Sequence, residues 1–232
     1  MAGSRETERS IGEGAKMAGT AVQGREQVLV FDLGGVLIDW NPRHLYRKLF
    51  DGDEAAMERF LAEVCTGAWN ECQDAGRPFA EAVAELVLHH PEQRALIEAY
   101  HLRWPEMVAG PIDETVELLA ELREAGYELH ALTNWSAETF ALTRPRFAFL
   151  EWFESILVSA DVRLIKPDPR IFRLLLERIG RKAEACIYID DSQKNVAAAD
   201  ALGFDALHFK GAAALRADLA GRGLLPDGGS GG

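Results

Sequence analysis

Five short hydrophobic runs, separated by longer amphipathic segments, constrain the fold of this chain more than any other feature of its sequence. Each run has the length of a buried strand, and the predicted strands are Val28 to Phe31, Glu128 to Thr133, Ser155 to Ser159, Ala185 to Asp190 and Asp205 to Phe209. Strands that alternate with helices form a parallel sheet with helices on both faces. The sequence therefore predicts a doubly wound, Rossmann-like α/β fold.

The helical segments between these runs have recognisable ends. One helix is predicted from Asp113 to Ala125, with Asp113 as its N-cap. Another is predicted from Pro169 to Ile179, where Asp168 can cap the first turn and proline suits the first helical position. A third is predicted to follow Ser192 and to stop at Gly203.

Residues 41–108 break the alternation, because they contain helical patterns and no strand-like run. The helices predicted there are Arg43 to Phe50, Glu54 to Cys65, Ala80 to His89 and Glu92 to Tyr100. Inserted after the first strand, this segment would form a small helical cap over the crevice at the strand ends, although it could also simply extend the core. Caps of this kind exclude water and select substrates.

The predicted organisation is an α/β core made of residues 27–40 and 109–224, with the helical cap at 41–108. Residues 1–26 are rich in Gly, Ser, Glu and Arg and are interpreted as a disordered extension. Residues 225–232, which end in a Gly- and Ser-rich run, are interpreted as a flexible tail.

Charge and cysteine content narrow the classes of partner. A formal net charge of −12 over 232 residues argues against nucleic-acid and anionic-membrane surfaces. A small phosphorylated metabolite stays possible, because one metal ion and one lysine can reverse the local field. The three cysteines, Cys65, Cys72 and Cys186, have no metal or redox spacing. Cysteines without such a framework indicate reduced thiols, so we expect a cytoplasmic protein. We expect it to be either a monomer or a homodimer.

Reactive side chains stand at the ends of the predicted strands and before one predicted helix. They are Asp32, Thr133, Asn134, Lys166, Asp190 and Asp191. Each alone has an ordinary explanation as a turn residue, a helix cap or a solvated charge. Together they predict an active site, because ligands of open α/β sheets bind in the crevice at the carboxyl ends of the strands.

The residues that carry this chemistry resemble, in their order, the four motifs of the haloacid dehalogenase superfamily. The resemblance covers the chain from Val28 to about Phe209, and the helical insertion is similar to the small helical (C1) cap of one subgroup. The matching segments are Asp32-Leu-Gly-Gly-Val36, Thr133-Asn134, Lys166-Pro167 and Asp190-Asp191.

The resemblance implies a phosphatase that works through a covalent intermediate. Asp32 would attack phosphorus to form an aspartyl-phosphate, which divides a difficult hydrolysis into two easier steps. Thr133 and Asn134 would hydrogen-bond the phosphoryl oxygens, with Gly35 also at the substrate. Lys166 would offset the clustered negative charge and keep Asp32 ionised.

The resemblance also implies a magnesium cofactor. Its ligands would be the Asp32 carboxylate, the Gly34 carbonyl and Asp191, with Asp190 bound directly or through water. Carboxylates, one carbonyl and waters are normal ligands of Mg²⁺.

One departure from the family pattern bears on the activity. Phosphatases of this superfamily usually carry a second aspartate two residues after the nucleophile, which protonates the leaving group and later activates water. Here that position is Gly34. General acid–base catalysis contributes about 10²–10⁴-fold to a rate, so its loss is substantial.

Three interpretations follow from this departure. The chain could be a phosphatase that favours good leaving groups, or that uses water or a cap residue as the acid; a branch with Asp-x-Gly in the first motif, which includes glucose-1-phosphate phosphatase-like proteins, is similar to it. It could be a 2-haloacid dehalogenase, which needs no leaving-group acid. It could also bind a phosphorylated ligand or a protein without turnover.

In the cap, Arg43 or Arg77 could meet an anionic substrate group.

Overall fold

The computed structural model describes residues 27–225. The extension predicted at residues 1–26 lies outside the described residues, as does most of the tail predicted at 225–232. Leu225, which the sequence placed in that tail, is described and is buried in the hydrophobic core. Among residues 27–225, no helix has the length and apolar character needed to cross a membrane.

Five of the strands form one parallel sheet, which confirms the predicted fold class. The strands of the described residues, including two outside this sheet, are β1 (Val28–Phe31), β2 (Ile38–Trp40), β3 (Val108–Pro111), β4 (Leu129–Thr133), β5 (Ser155–Val158), β6 (Cys186–Asp190) and β7 (Asp205–His208). The order across the sheet is β5-β4-β1-β6-β7, with β1 at the centre. Leu29 of β1 lies opposite Leu129 on one side and Ile187 on the other.

Helices account for most of the remaining described chain. They are α1 (Arg43–Leu49), α2 (Glu54–Glu63), α3 (Gly67–Asp74), α4 (Phe79–His89), α5 (Arg94–Leu102), α6 (Asp113–Glu124), α7 (Ala137–Thr143), α8 (Ser159–Val162), α9 (Pro169–Ile179), α10 (Gln193–Asp200) and α11 (Ala212–Gly221). The predicted helices are thus confirmed, with ends that shift by at most three residues.

The period-two alternation of strand side chains divides the core into two layers. In β1, Leu29 and Phe31 belong to one hydrophobic cluster, whereas Val28 and Val30 belong to the other. The first cluster includes leucines of α6 and α11, and the second includes Ile171, Phe172 and Leu175 of α9. Both faces of the sheet are therefore covered, as a doubly wound fold requires.

Helices α1 to α5 lie between β2 and β3, and these two short strands pair antiparallel. Asp39 lies opposite Gly110 in this pair, so the chain leaves the core and returns to it at adjacent points. The sequence did not predict β2, β3 or α3. The insertion has its own aromatic packing, in which Tyr100 meets Trp69 edge to face and Trp104 stacks on Trp40 with ring centroids 5.5 Å apart.

One predicted cap was wrong and another is confirmed. The first intrahelical bond of α6 uses the Ile112 carbonyl, so Ile112 is the N-cap and Asp113 lies in the first turn. A carboxylate is favourable there, because the N-terminus of a helix carries partial positive charge. The Asp168 side chain, in contrast, does cap α9, because it accepts a hydrogen bond from the Arg170 backbone N–H at 2.9 Å.

Candidate active site

The carboxyl ends of three adjacent strands bring the predicted residues to one edge of the sheet. Asp32 follows β1, Thr133 ends β4, and Asp190 ends β6. Because β4, β1 and β6 are neighbours and parallel, these ends lie side by side. The resulting crevice is about 670 Å³ and is lined by Asp32, Gly34, Gly35, Thr133, Asn134, Lys166 and Asp191 among others.

Lys166 joins the two strand-end aspartates. Its Nζ lies 2.9 Å from Asp32 Oδ2 and 2.7 Å from Asp190 Oδ2, and it also donates to the Leu132 carbonyl at 2.9 Å. An ammonium group has three protons, so these acceptors satisfy it completely. The Lys166 side chain is 1% exposed, and a buried charge of this kind is stable only when it is paired in this way.

The Asp190 carboxylate is the most heavily hydrogen-bonded group of the site. Besides Lys166, it accepts from the Tyr188 hydroxyl, from the Ser192 backbone N–H at 2.8 Å, and from Asn195 Nδ2 at 3.0 and 3.1 Å. Burial alone would raise the pKa of Asp190, but Lys166 and these other donors lower it below its ordinary value. Asp190 is therefore held as an anion.

The pKa of Asp32 is shifted in the opposite direction from that of Asp190. Burial raises its pKa to about 7, and the charge of Asp190 acts in the same direction, although Lys166 partly opposes both. The pKa of Asp191 is also raised, first by burial and then by Asp190. Lys166 keeps its proton, since the two aspartates outweigh burial and raise its pKa. If all three aspartates ionise, the pocket holds more negative charge than one lysine neutralises, and this repulsion contributes to the raised pKa of Asp32 and of Asp191.

Asn134 contacts Lys166 rather than standing free in the crevice. Its Oδ1 accepts from the Lys166 backbone N–H at 2.8 Å, and its Nδ2 donates to the Lys166 carbonyl at 3.0 Å. The predicted contact of Asn134 with phosphoryl oxygens stays a prediction. Thr133 is 1% exposed at the base of the crevice.

The two glycines of the first motif have different surroundings. Gly35 has φ +73°, and a Cβ there would overlap the Asp191 carboxylate, so glycine is required for the close approach. At Gly34, a Cβ would meet no atom within 4 Å. The position that lacks the expected aspartate is therefore an open space.

Three carboxylates of the site could hold a cation together. Asp32, Asp190 and Asp191 each offer an oxygen, and these oxygens lie within 4.8 Å of one another. Clustered hard oxygen donors with excess negative charge are the chemistry that Mg²⁺ selects.

The insertion also contributes polar side chains to the crevice. Helix α3 places Asn70 and Asp74 at the crevice, and both are buried. Both cap arginines already form an ion pair with a glutamate. Arg43 Nε lies 2.5 Å from Glu58 Oε1, and Arg77 Nη1 lies 3.0 Å from Glu85 Oε2. Either arginine would have to leave its glutamate to bind an anionic substrate group.

The sequence matches the family model described as haloacid dehalogenase-like hydrolase over residues 26–203. It is 26% identical over 184 residues to a sesquiterpene phosphatase of Aspergillus oryzae, covering 78% of this chain and 88% of the relative. It is 24% identical over 121 residues to an (S)-2-haloacid dehalogenase of Burkholderia cepacia, covering 52% of each.

Solved structures agree with this result. A haloacid dehalogenase family enzyme of Bacteroides thetaiotaomicron, solved as a complex with magnesium and inorganic phosphate, superposes with a TM-score of 0.62 at 25% identity. The superposition covers 79% of this chain and 94% of that enzyme. The strand-end carboxylates, the parallel sheet and the family match lead to one conclusion. The chain belongs to the haloacid dehalogenase-like hydrolases.

Proposed function

We propose that this hydrolase is a Mg²⁺-dependent phosphatase of small phosphomonoesters, with Asp32 as its nucleophile. The observation that carries the proposal is the position of Asp32 at the end of β1. Its carboxylate is paired with Lys166 and lies within one carboxylate cluster with Asp190 and Asp191. Phosphatases among its relatives support the same reaction class.

The residues of the chain divide the work of phosphoryl transfer. An oxygen of Asp32 attacks phosphorus, and the backbone N–H of Leu33, which donates to Asp32 Oδ1 at 2.7 Å, fixes the carboxylate orientation. Lys166 stabilises the negative charge that gathers around the phosphoryl group. Thr133 and the Gly35 backbone lie at the crevice surface, where they can orient the phosphoryl oxygens.

The carboxylate cluster fits Mg²⁺. Asp32, Asp191 and the Gly34 carbonyl would hold the ion, with Asp190 behind them, because Asp190 already accepts hydrogen bonds from four groups. When bound, Mg²⁺ would neutralise charge on the phosphoryl group and on Asp32. The absence of a side chain at Gly35 lets Asp191 approach the first motif.

The same cluster distinguishes the phosphatase from the dehalogenase interpretation. Displacement of halide from carbon needs no metal, and three carboxylates that share one lysine and lie within 4.8 Å of one another are electrostatically unfavourable without a further cation. The phosphatase interpretation uses all three. Sugar phosphates are the substrate class that we favour, because an anomeric leaving group places less demand on an acid at position 34. The acidic composition and free thiols of Cys65, Cys72 and Cys186 fit a cytoplasmic enzyme.

The test is phosphate release from p-nitrophenyl phosphate and from paired sugar-1-phosphates and sugar-6-phosphates, with Mg²⁺ or with EDTA. We expect release with Mg²⁺ and loss in Asp32→Asn by at least about 10⁴-fold. Asp32→Asn should stay folded, since asparagine has nearly the same size and shape and burial opposes the charge that the substitution removes. Equal turnover by Asp32→Asn would refute the nucleophile. No turnover of any ester would leave a non-catalytic binder, and 2-haloacid turnover in EDTA would identify a dehalogenase.

A further inference from the structure

We propose that Asp74, at the C-terminal end of helix α3 in the insertion, is the general acid and base that the first motif lacks at Gly34. This inference rests on the proposed phosphatase function. It assigns to the insertion a catalytic group, in addition to any part that the insertion has in covering the crevice.

The placement of Asp74 is the first observation in its favour. Asp74 lines the crevice together with Asp32, Lys166 and Asp191. It also lines a smaller cavity of about 40 Å³ that Gly34 borders from the core side. That volume admits a few water-sized groups. Asp74 therefore borders the same cavity as Gly34, the position at which the family's aspartate is missing.

Asp74 is held in this position from two sides, at its carboxyl and at its backbone carbonyl. Asn70 Nδ2 donates to Asp74 Oδ2 at 3.0 Å, and the Tyr100 hydroxyl in turn donates to Asn70 Oδ1 at 3.2 Å. From the core, the Ser159 hydroxyl donates to the Asp74 backbone carbonyl at 2.6 Å. These contacts fix the end of α3 against the core, as a proton-transfer group requires.

The protonation of Asp74 suits proton transfer near neutral pH. Burial raises its pKa to about 7, with smaller contributions in the same direction from Glu71 on its own helix and from Asp32 across the crevice. The Ser136 N–H and Lys166 act against these. A carboxyl in this range can both give and accept a proton.

Other acidic residues near the first motif are less suitable. Asp39 pairs with His44, with Nε2 3.0 Å from Oδ1, and does not line the crevice. Glu71 lines the crevice but is exposed to solvent. Asp190 and Asp191 belong to the carboxylate cluster.

The proposed proton transfers balance in two steps. In the first, an oxygen of Asp32 bonds to phosphorus as the bond from phosphorus to the leaving oxygen breaks, and the Asp74 proton passes to that oxygen. This gives the alcohol, the aspartyl-phosphate and ionised Asp74. In the second, Asp74 takes a proton from water as the water oxygen bonds to phosphorus, and the bond to Asp32 breaks. Phosphate, ionised Asp32 and protonated Asp74 result.

The test compares kcat/KM of wild type and Asp74→Asn for an alkyl phosphate and for p-nitrophenyl phosphate. This ratio reports steps only through cleavage of the ester bond, so it is sensitive to leaving-group protonation. We expect a loss of about 10²–10⁴-fold for the alkyl ester and less than about tenfold for the aryl ester, whose phenolate needs little acid. Asp74→Asn should also release a burst of nitrophenolate, because the aspartyl-phosphate then waits for an unassisted water.

A double variant and a control sharpen the result. Gly34→Asp added to Asp74→Asn should restore at least part of the alkyl activity, because position 34 has room for a side chain. Asp200→Asn, at an exposed residue at the end of α10 and outside the crevice, should leave the alkyl-to-aryl ratio of kcat/KM unchanged. The burst amplitude measures the fraction of folded, competent enzyme in Asp74→Asn.

The outcomes separate the two proposals. Equal losses on both esters, or no loss on the alkyl ester, would overturn the role of Asp74 and leave the phosphatase standing. Absence of Mg²⁺-dependent aryl hydrolysis by the wild type would overturn the phosphatase itself, and the role of Asp74 with it.

Discussion

Asn134 holds Lys166 by its backbone: the amide oxygen of Asn134 accepts from the Lys166 N–H at 2.8 Å, and its amide nitrogen donates to the Lys166 carbonyl at 3.0 Å. The two residues lie 32 positions apart, in the second and third motifs. The contact sets where Lys166 enters the pocket, and with it the distance from Nζ to both aspartates.

Replacement of Asn134 by alanine should therefore act through Lys166. The variant leaves two backbone groups of Lys166 without their partner, and each unsatisfied buried group costs about 1–3 kcal/mol. We expect the unfolding free energy and kcat to fall together. Urea unfolding and p-nitrophenyl phosphate turnover measure both. Unchanged stability would show that water replaces the amide.

Removal of the Lys166 charge should destabilise the fold strongly. Lys166→Met leaves Asp32 and Asp190 buried and facing each other without a cation, and breaking a buried ion pair costs about 3–5 kcal/mol. The double variant Lys166→Met/Asp32→Asn should recover part of this loss, because it removes one of the opposed charges. Urea unfolding without metal is the measurement. A double variant less stable than Lys166→Met would contradict the electrostatic account.

The two adjacent glycines give a matched pair. Gly35→Ala puts a side chain at φ +73° and into the Asp191 carboxylate, so we expect a loss of about 2–4 kcal/mol in unfolding free energy and weaker Mg²⁺ binding. Gly34→Ala meets open space and should change stability by no more than about 0.5 kcal/mol. Equal effects at the two positions would refute the close approach at Gly35.

Magnesium should stabilise the protein through Asp191. At a concentration of 100 Kd, binding to the folded state adds about 2.7 kcal/mol to the unfolding free energy, which raises Tm. Asp191→Asn should lose most of this increase, whereas Asp200→Asn, an exposed residue at the end of α10, should keep it. Differential scanning calorimetry with Mg²⁺ and with EDTA decides; an equal rise in all three proteins would exclude the cluster as the binding site.

The buried carboxyl of Asp74 should make stability depend on pH. Its pKa is about 7 in the fold against an ordinary 3.8, with Glu71, Asp32, Lys166 and the Ser136 N–H as the groups that face it. Between these values the unfolded chain releases the proton and the folded chain keeps it, so stability falls as pH rises through this range, by up to about 1.4 kcal/mol per pH unit. Asparagine does not ionise, so the Tm of Asp74→Asn relative to wild type should be higher at pH 8 than at pH 5. A constant difference would contradict the raised pKa.

Sequence patterns were sufficient for the parallel sheet and for the residues that meet at its edge. The hydrophobic runs and the reactive residues after them recur in the order that a doubly wound fold requires, so the meeting of Asp32 and Asp190 followed from strand ends alone. The contact of Tyr188 with Asp190 was also accessible, since residues two apart in a strand share a face.

The insertion was harder to predict, because its polar positions are buried by tertiary contacts. Helix α3 has the sequence GAWNECQD, which lacks a helical stripe of apolar residues. Thr66, whose side chain accepts from the Trp69 N–H, was the available signal for its start. Nothing local indicates that Asp74 is buried: its surroundings come from Ser136, Ser159 and the first motif, which are distant in sequence.

The open space beside Gly34 also has a genetic consequence. Every glycine codon becomes an aspartate or glutamate codon by a single base change at its second position, and the fold has room for a side chain there. An acidic residue at the first motif is therefore one mutational step away. If Asp74 supplies the proton, that step would make it dispensable, and the proton-transfer group of this enzyme could pass between insertion and core during evolution without any rebuilding of the sheet.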